Sequence, residues 1–139
     1  MLLGEYAYAL DAKGRLFLPA RLRAELTDAV VLSKAIDPCI NVYSREAFCA
    51  FADRLCALPE IETRDVRRFV FEAAQETSPD AQGRVLILPA LRAYAGLEKD
   101  VLILGVGDHA EIWDRARYEA FSASRDVEKL ISVLQEREF

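Results

Sequence analysis

One histidine, one tryptophan, one methionine and three cysteines in 139 residues leave little material for several common chemistries. A nucleophilic triad needs a base, and His109 stands alone in the loop Gly105-Val106-Gly107-Asp108-His109, where it reads as a surface turn residue. Cys39, Cys49 and Cys56 are odd in number and lack the paired short spacing of a zinc ligand set. They read as buried free thiols, the usual habit of the type. The Gly-x-Gly at Gly105–Gly107 is too short for a dinucleotide or phosphate loop. No apolar run approaches the ~20 residues that cross a bilayer. The start, Met1-Leu2-Leu3-Gly4-Glu5, lacks the basic n-region of a secretory signal, so a cytoplasmic protein is expected. An enzyme would have to work with carboxylates alone, and none is set apart from ordinary helix charge. No cofactor and no metal are expected.

Glycine is also scarce, with six in the chain, and two of the six occupy the same place in a repeated string. Asp11-Ala12-Lys13-Gly14-Arg15 returns as Asp80-Ala81-Gln82-Gly83-Arg84, each followed by an apolar run and a proline, Pro19 and Pro89. The repetition continues: Ile40-Asn41-Val42-Tyr43 is answered by Ala110-Glu111-Ile112-Trp113, and Arg45, Phe48 and Phe51 by Arg115, Tyr118 and Phe121. Measured from the prolines the offset is 70, and before them 69, which implies one extra residue between Arg84 and Pro89. Two copies are too few for a solenoid, so a pseudo-two-fold barrel or sandwich sharing one core is expected.

Local signals sketch each copy. Glu5–Leu10 and Arg15–Leu18 flank a turn ending in glycine and read as a β-hairpin, with Gly14 supplying the positive φ. Pro19 stops the strand and suits the start of a short helix over Arg21–Leu26. Two strands follow, Ala29–Leu32 and Cys39–Tyr43, around Asp37-Pro38. Ser44 is an N-cap candidate for a helix striped with Phe48, Phe51, Leu55 and Leu58 and closed by Pro59. Thr63 caps a second helix with Val66, Phe69, Val70 and Ala73 on one face, leaving Phe71 off the stripe. The second copy restarts at Asp80: a strand over Arg84–Leu88, a short helix ended by Gly96, then strands Val101–Leu104 and Ala110–Trp113. A last amphipathic helix carries Val127, Leu130, Ile131 and Leu134. This gives a first module over 1–58, a helical connector over 59–78, a second module over 79–123 and a C-terminal helix over 124–139, in an α+β fold.

Net charge is −5, from 18 Lys and Arg against 23 Asp and Glu. Between Asp11 and Arg23, however, Lys13, Arg15, Arg21 and Arg23 face one Asp11, a local balance of +3. Local potential governs encounter with a polyanion, so the average does not exclude DNA. The repeated turn divides by role: Asp11, Gly14, Asp80 and Gly83 build it, while Lys13 and Arg15 are what it presents. An arginine fork can donate two bonds to one guanine. Gln82 in place of Lys13 makes the second turn the weaker reader. The rival is an oligomeric structural or interaction protein in which Arg15 merely pairs with Asp11.

Met1-Leu2-Leu3-Gly4, Leu10–Arg15 with Pro19, Asp80–Arg84 with Leu91-Arg92-Ala93-Tyr94-Ala95-Gly96-Leu97, and Glu111-Ile112-Trp113 together resemble the MraZ family over nearly the whole chain. The resemblance implies a tandem AbrB-like swapped-hairpin β-barrel with pseudo-two-fold symmetry, and helices between and after the modules. It implies a nucleoid-associated transcriptional regulator of the division and cell-wall gene cluster. Such a protein binds double-stranded DNA, at direct repeats with G-rich cores in its own promoter, as a closed homo-oligomeric ring. The DNA-facing positions then fall on Lys13, Gly14 and Arg15, with Gly83 and Arg84 beside them and Arg21 and Arg23 as phosphate contacts. In a ring, small basic patches add into one basic face, and cyclic symmetry suits direct repeats. Phe71 and Phe139 become candidates for subunit contacts.

Overall fold

A computed structural model describes all residues, Met1–Phe139. The chain runs β1 (Glu5–Ala9), β2 (Arg15–Phe17), α1 (Ala20–Leu26), β3 (Val30–Lys34), β4 (Ile40–Ser44), α2 (Arg45–Cys56), α3 (Glu60–Phe71), β5 (Gln75–Thr77), β6 (Arg84–Leu86), α4 (Pro89–Ala95), β7 (Asp100–Gly105), β8 (Ala110–Asp114), α5 (Arg115–Ala123) and α6 (Val127–Glu136). The two halves repeat strands and helices in the same order, which makes the fold α+β.

The expected first hairpin does not form. One backbone rung closes the turn, Asp11 N to Arg15 O at 3.0 Å, and then the strands part. Strand β1 pairs antiparallel with β7 of the other half, Tyr6 opposite Ile103, while β2 pairs with β6, Leu16 opposite Val85. The mirror event occurs at β5, which pairs with β3, Val31 opposite Glu76. The six-stranded sheet therefore has the order β1-β7-β8-β4-β3-β5, which reads the same backwards when the halves are exchanged. The central pair, β4 with β8, sets Asn41 opposite Glu111. The reason is burial on both faces. Val101, Leu102, Ile103 and Leu104 are all buried in β7, so its outer edge needs a strand to satisfy its backbone, and β1 supplies it. The ladders form this open sheet and a separate β2–β6 ribbon. They do not close into the barrel that the resemblance implies.

A continuous core joins the halves. Leu16, Leu18, Leu22 and Leu26 from the first meet Val85, Ile87, Leu91 and Ala95 from the second, all essentially inaccessible. At roughly 1.5–3 kcal/mol for each large apolar side chain buried, neither half keeps this stabilisation alone.

The pairing also corrects the register of the duplication. Leu16, Leu22 and Arg23 correspond to Val85, Leu91 and Arg92, and the helix caps Thr27 and Gly96 coincide, so the offset stays at 69 through α1 and α4. Pro19 caps α1 from outside whereas Pro89 is already inside α4, so the two prolines are not equivalent. The extra residues fall after the helix instead: Val30 corresponds to Val101, and the β4–β8 pair restores an offset of 70.

Several local signals hold. The Ser44 hydroxyl accepts from Ala47 N at 3.0 Å, capping α2, and Gly96 ends α4 in the left-handed conformation at φ 61°. Others change. Helix α3 starts at Glu60, so Thr63 lies inside it, buried, with its hydroxyl donating to Pro59 O. Phe71 does not face outward; it packs edge-on against Phe48 with centroids 6.1 Å apart. Of the cysteines only Cys39 is buried, while Cys49 and Cys56 are exposed. His109 is no bare surface residue: it stacks on Tyr43 at 4.7 Å and bonds Asp108 Oδ1 at 2.6 Å. No helix is long and apolar enough to cross a membrane.

Candidate nucleic-acid interface

The two repeated turns have the same internal wiring. Asp11 Oδ1 accepts from the backbone N–H of Lys13 and of Arg15, both at 2.9 Å, and Oδ2 accepts from Arg15 Nε at 2.7 Å. Asp80 does the same with Gln82 N, Arg84 N and Arg84 Nε at 2.9, 2.9 and 3.0 Å. Gly14 N and Gly83 N close the turns on Asp11 O and Asp80 O. A carboxylate with this many donors is favoured in its charged form. The backbone bond from Arg15 is the main cause that lowers Asp11 to about 2, and that from Arg84 lowers Asp80 as well.

The ribbon sets the two turns at its opposite ends, each against the other half. Leu18 N donates to Gly83 O and Ile87 N to Gly14 O, each at 2.9 Å, so each turn glycine is bonded to the opposite half. Gly14 and Gly83 both have φ 80°, a region that disfavours side chains. A second reason excludes side chains there. Arg23 donates from Nε to Leu18 O at 2.8 Å and lies over Gly83, where a Cβ would come within 2.8 Å of its Cζ. Arg92 donates to Ile87 O at 2.9 Å and covers Gly14 in the same way. Leu16 and Val85 point into the core, so strand alternation turns Arg15, Phe17, Arg84 and Leu86 to the other face.

Lys13, Arg15, Gly14, Gly83, Arg84 and Arg23 are thus brought together. Arg21 is not. Two residues from Arg23 on a helix points elsewhere, and Arg21 is exposed beside Met1, Leu3 and Glu25. Arg92 went unnoticed in the sequence because the proline-based offset of 70 aligns Arg23 with Ala93; an offset of 69 finds it. Around the turns Lys13, Arg15, Arg23, Arg84 and Arg92 face Asp11 and Asp80, a balance of +3 on a chain of −5.

The two arginines differ in what they have left to give. Arg84 uses Nε on Asp80, sets Nη2 3.4 Å from Gln82 Oε1, and lies with Nη1 3.8 Å from Asp11. Arg15 is held at Nε alone, and its two Nη groups have no hydrogen-bond partner in the chain. Lys13 is exposed and also has none. The arrangement can donate to an anion or to paired acceptors. No three His, Cys, Asp or Glu side chains converge as metal ligands would.

The family model described as "MraZ protein, putative antitoxin-like" matches residues 1–69 and again 70–136. Among curated relatives, the chain is 45% identical over 124 residues to a transcriptional regulator MraZ of Heliobacterium modesticaldum, covering 88% of this chain and 87% of that one. It is 42% identical over 130 residues to that of Acetivibrio thermocellus, covering 91% and 90%, and 45% identical over 129 residues to that of Treponema pallidum, covering 90% and 87%. With a family repeat in each half and relatives matched along almost their whole length, the chain belongs to the MraZ family of transcriptional regulators.

Proposed function

We propose that the chain binds double-stranded DNA sequence-specifically through the β2–β6 ribbon and its turns, with Arg15 reading guanine and Lys13 neutralising phosphate. The observation that carries this is the pair of free Nη groups on Arg15, held at a fixed angle by its Nε bond to Asp11. A guanidinium oriented at one edge and open at the other is prepared for bidentate donation to guanine O6 and N7. The major groove admits a two-stranded ribbon, and a ribbon edge with +3 local balance provides the attraction. Arg84, occupied by Asp80 and Gln82, contributes less, and Arg23 holds the turn more than it contacts phosphate.

The halves correspond to two AbrB-type modules, a reading supported by the exchange of β1 and β5 between them. The DNA is a set of direct repeats with G-rich cores in the promoter of the chain's own division and cell-wall gene cluster. Several copies bind as a closed ring at the nucleoid, since equal subunit spacing suits repeats of one direction.

The Arg15–Asp11 ion pair favours a second reading, an interaction protein in which Arg15 only braces the turn. A gel shift with the promoter upstream of the chain's own gene separates them. Arg15→Ala is expected to lose about 1–3 kcal/mol for each engaged copy, abolishing the specific shift while assembly size and thermal stability persist. A variant that shifts the promoter at wild-type concentration refutes the assignment. If the wild type is not retained even at low salt, the second reading stands.

A further inference from the structure

A single exposed apolar side chain is ordinary on a protein surface, but Leu86 is placed where a ligand of the ribbon would meet it. It is 42% exposed and lies directly opposite Arg15 in the β2–β6 register. Both side chains leave the face turned away from Leu16 and Val85. We infer that Leu86 packs on the 5-methyl group of a thymine in the base step beside the guanine bound by Arg15. One rung of the ribbon then reads two successive base pairs.

Two asymmetries between the halves coincide on this rung. At the offset of 69 the counterparts of Arg15 and Leu86 are Arg84 and Phe17, which form the other outward-facing rung. The chain itself occupies both of these. Arg84 bonds Asp80 and approaches Gln82 and Asp11. Phe17 packs edge-on against Tyr8 with centroids 5.2 Å apart, and Arg23 Cζ lies 5.5 Å from its ring centre. Leu86 stays exposed, just as the two Nη groups of Arg15 stay unpaired. A free guanidinium and a free apolar side chain thus face the same way from neighbouring strands.

Leu86 is not exposed because its strand is loose. Gln75 donates from Nε2 to Leu86 O at 2.6 Å and accepts from Leu88 N at 3.1 Å, which fixes the backbone on both sides of the leucine. Pro19, in the place of Leu88, has no N–H to offer, so this clamp belongs to the second half alone. Opposed side chains on a ribbon have Cβ atoms about 5 Å apart, which suits base pairs stacked about 3.4 Å apart. The C5-methyl of thymine is the apolar group that the major groove displays, and it projects far enough for a side chain shorter than arginine. Set against a purine edge instead, a leucine would desolvate polar atoms without replacing their hydrogen bonds. The inference rests on the DNA reading proposed above and adds a second base pair to it.

The test uses the full chain and the promoter duplex upstream of its own gene, with Kd read by fluorescence anisotropy. Within one repeat, thymines are replaced singly by deoxyuridine, which removes only the methyl group, and guanines singly by 7-deazaguanine, which removes the N7 acceptor. The wild type is expected to weaken about fourfold at one uracil position, the worth of one buried methyl-sized group, and that position should adjoin a guanine whose 7-deaza form also weakens binding. Leu86→Ala should keep the guanine sensitivity and lose the uracil sensitivity, with circular dichroism unchanged. Leu86→Met, which keeps an apolar side chain of similar size, should retain both. If no 7-deazaguanine weakens the wild type, the guanine reading fails and this inference with it. If the guanine sensitivity is present but no adjoining uracil matters, or the uracil loss persists in Leu86→Ala, only this inference fails.

Discussion

Replacing Gly83 by alanine probes how the halves are locked. Gly83 has φ 80°, so any side chain brings left-handed strain of about 1–2 kcal/mol. The new Cβ would also stand 2.8 Å from Arg23 Cζ and 2.9 Å from Nε. The guanidinium is the movable end of a long side chain, but it is tied to Leu18 O at 2.8 Å. Displacing it forfeits a hydrogen bond of about 0.5–1.5 kcal/mol. Gly83→Ala should therefore cost about 2–3 kcal/mol, lowering Tm by roughly 5–10 °C for a chain of this size. Gly107→Ala is the control: its φ is 102°, and a Cβ there meets nothing within 4 Å, so only the strain of about 1–2 kcal/mol remains. Melts at one fixed protein concentration keep assembly from confusing the comparison. Arg23→Ala should relieve the crowding, so the double variant should fall short of the summed single losses by about 0.5–1.5 kcal/mol. Equal costs at Gly83 and Gly107 together with strict additivity would show that Arg23 does not sit on the glycine.

Other perturbations separate the roles of neighbouring groups. Lys13→Ala should weaken binding to all DNA sequences alike and reduce the slope of log affinity against log salt by about one; a loss confined to the promoter repeats would make Lys13 a base reader instead. Asp11 and Asp80 are both lowered in the folded chain, so their contribution is present above the ordinary carboxylate value near 3.9 and is lost as pH falls toward about 2. The stability gap between wild type and Asp11→Asn should accordingly close between pH 4 and 2 in denaturant titrations, and a constant gap would contradict the charged cap. Cys49 and Cys56 are exposed, whereas burial pushes the Cys39 thiol up. Two thiols per chain should react with a maleimide under native conditions and the third only on unfolding, as mass spectrometry would read.

What the sequence determined by itself was mostly local. The repeated Asp-x-x-Gly-Arg turn is legible because an aspartate oxygen, two backbone donors and one positive φ all lie within five residues. Ser44 as a cap and Gly96 as a terminator are legible for the same reason, and so is the stripe of α2 as far as Leu55, whereas Leu58 lies beyond the helix and is exposed. The candidate site was readable as far as Lys13, Arg15 and the glycines that shape their turn.

Only the tertiary structure decided how the pieces pair. The exchange of β1 and β5 between halves was hidden because strand partners are chosen by burial and unpaired edges far away in the chain. Gln75–Thr77 carries no alternation and becomes a strand only because β3 has a free edge. Arg92 belongs to the site through the fold alone, since an arginine on a short helix advertises nothing about the glycine it covers. The difference between Arg15 and Arg84 is likewise tertiary in part. Gln82 was visible as a missing charge, but Arg84 is also drawn toward Asp11 of the opposite half, which leaves Arg15 the freer of two guanidiniums with the same local sequence.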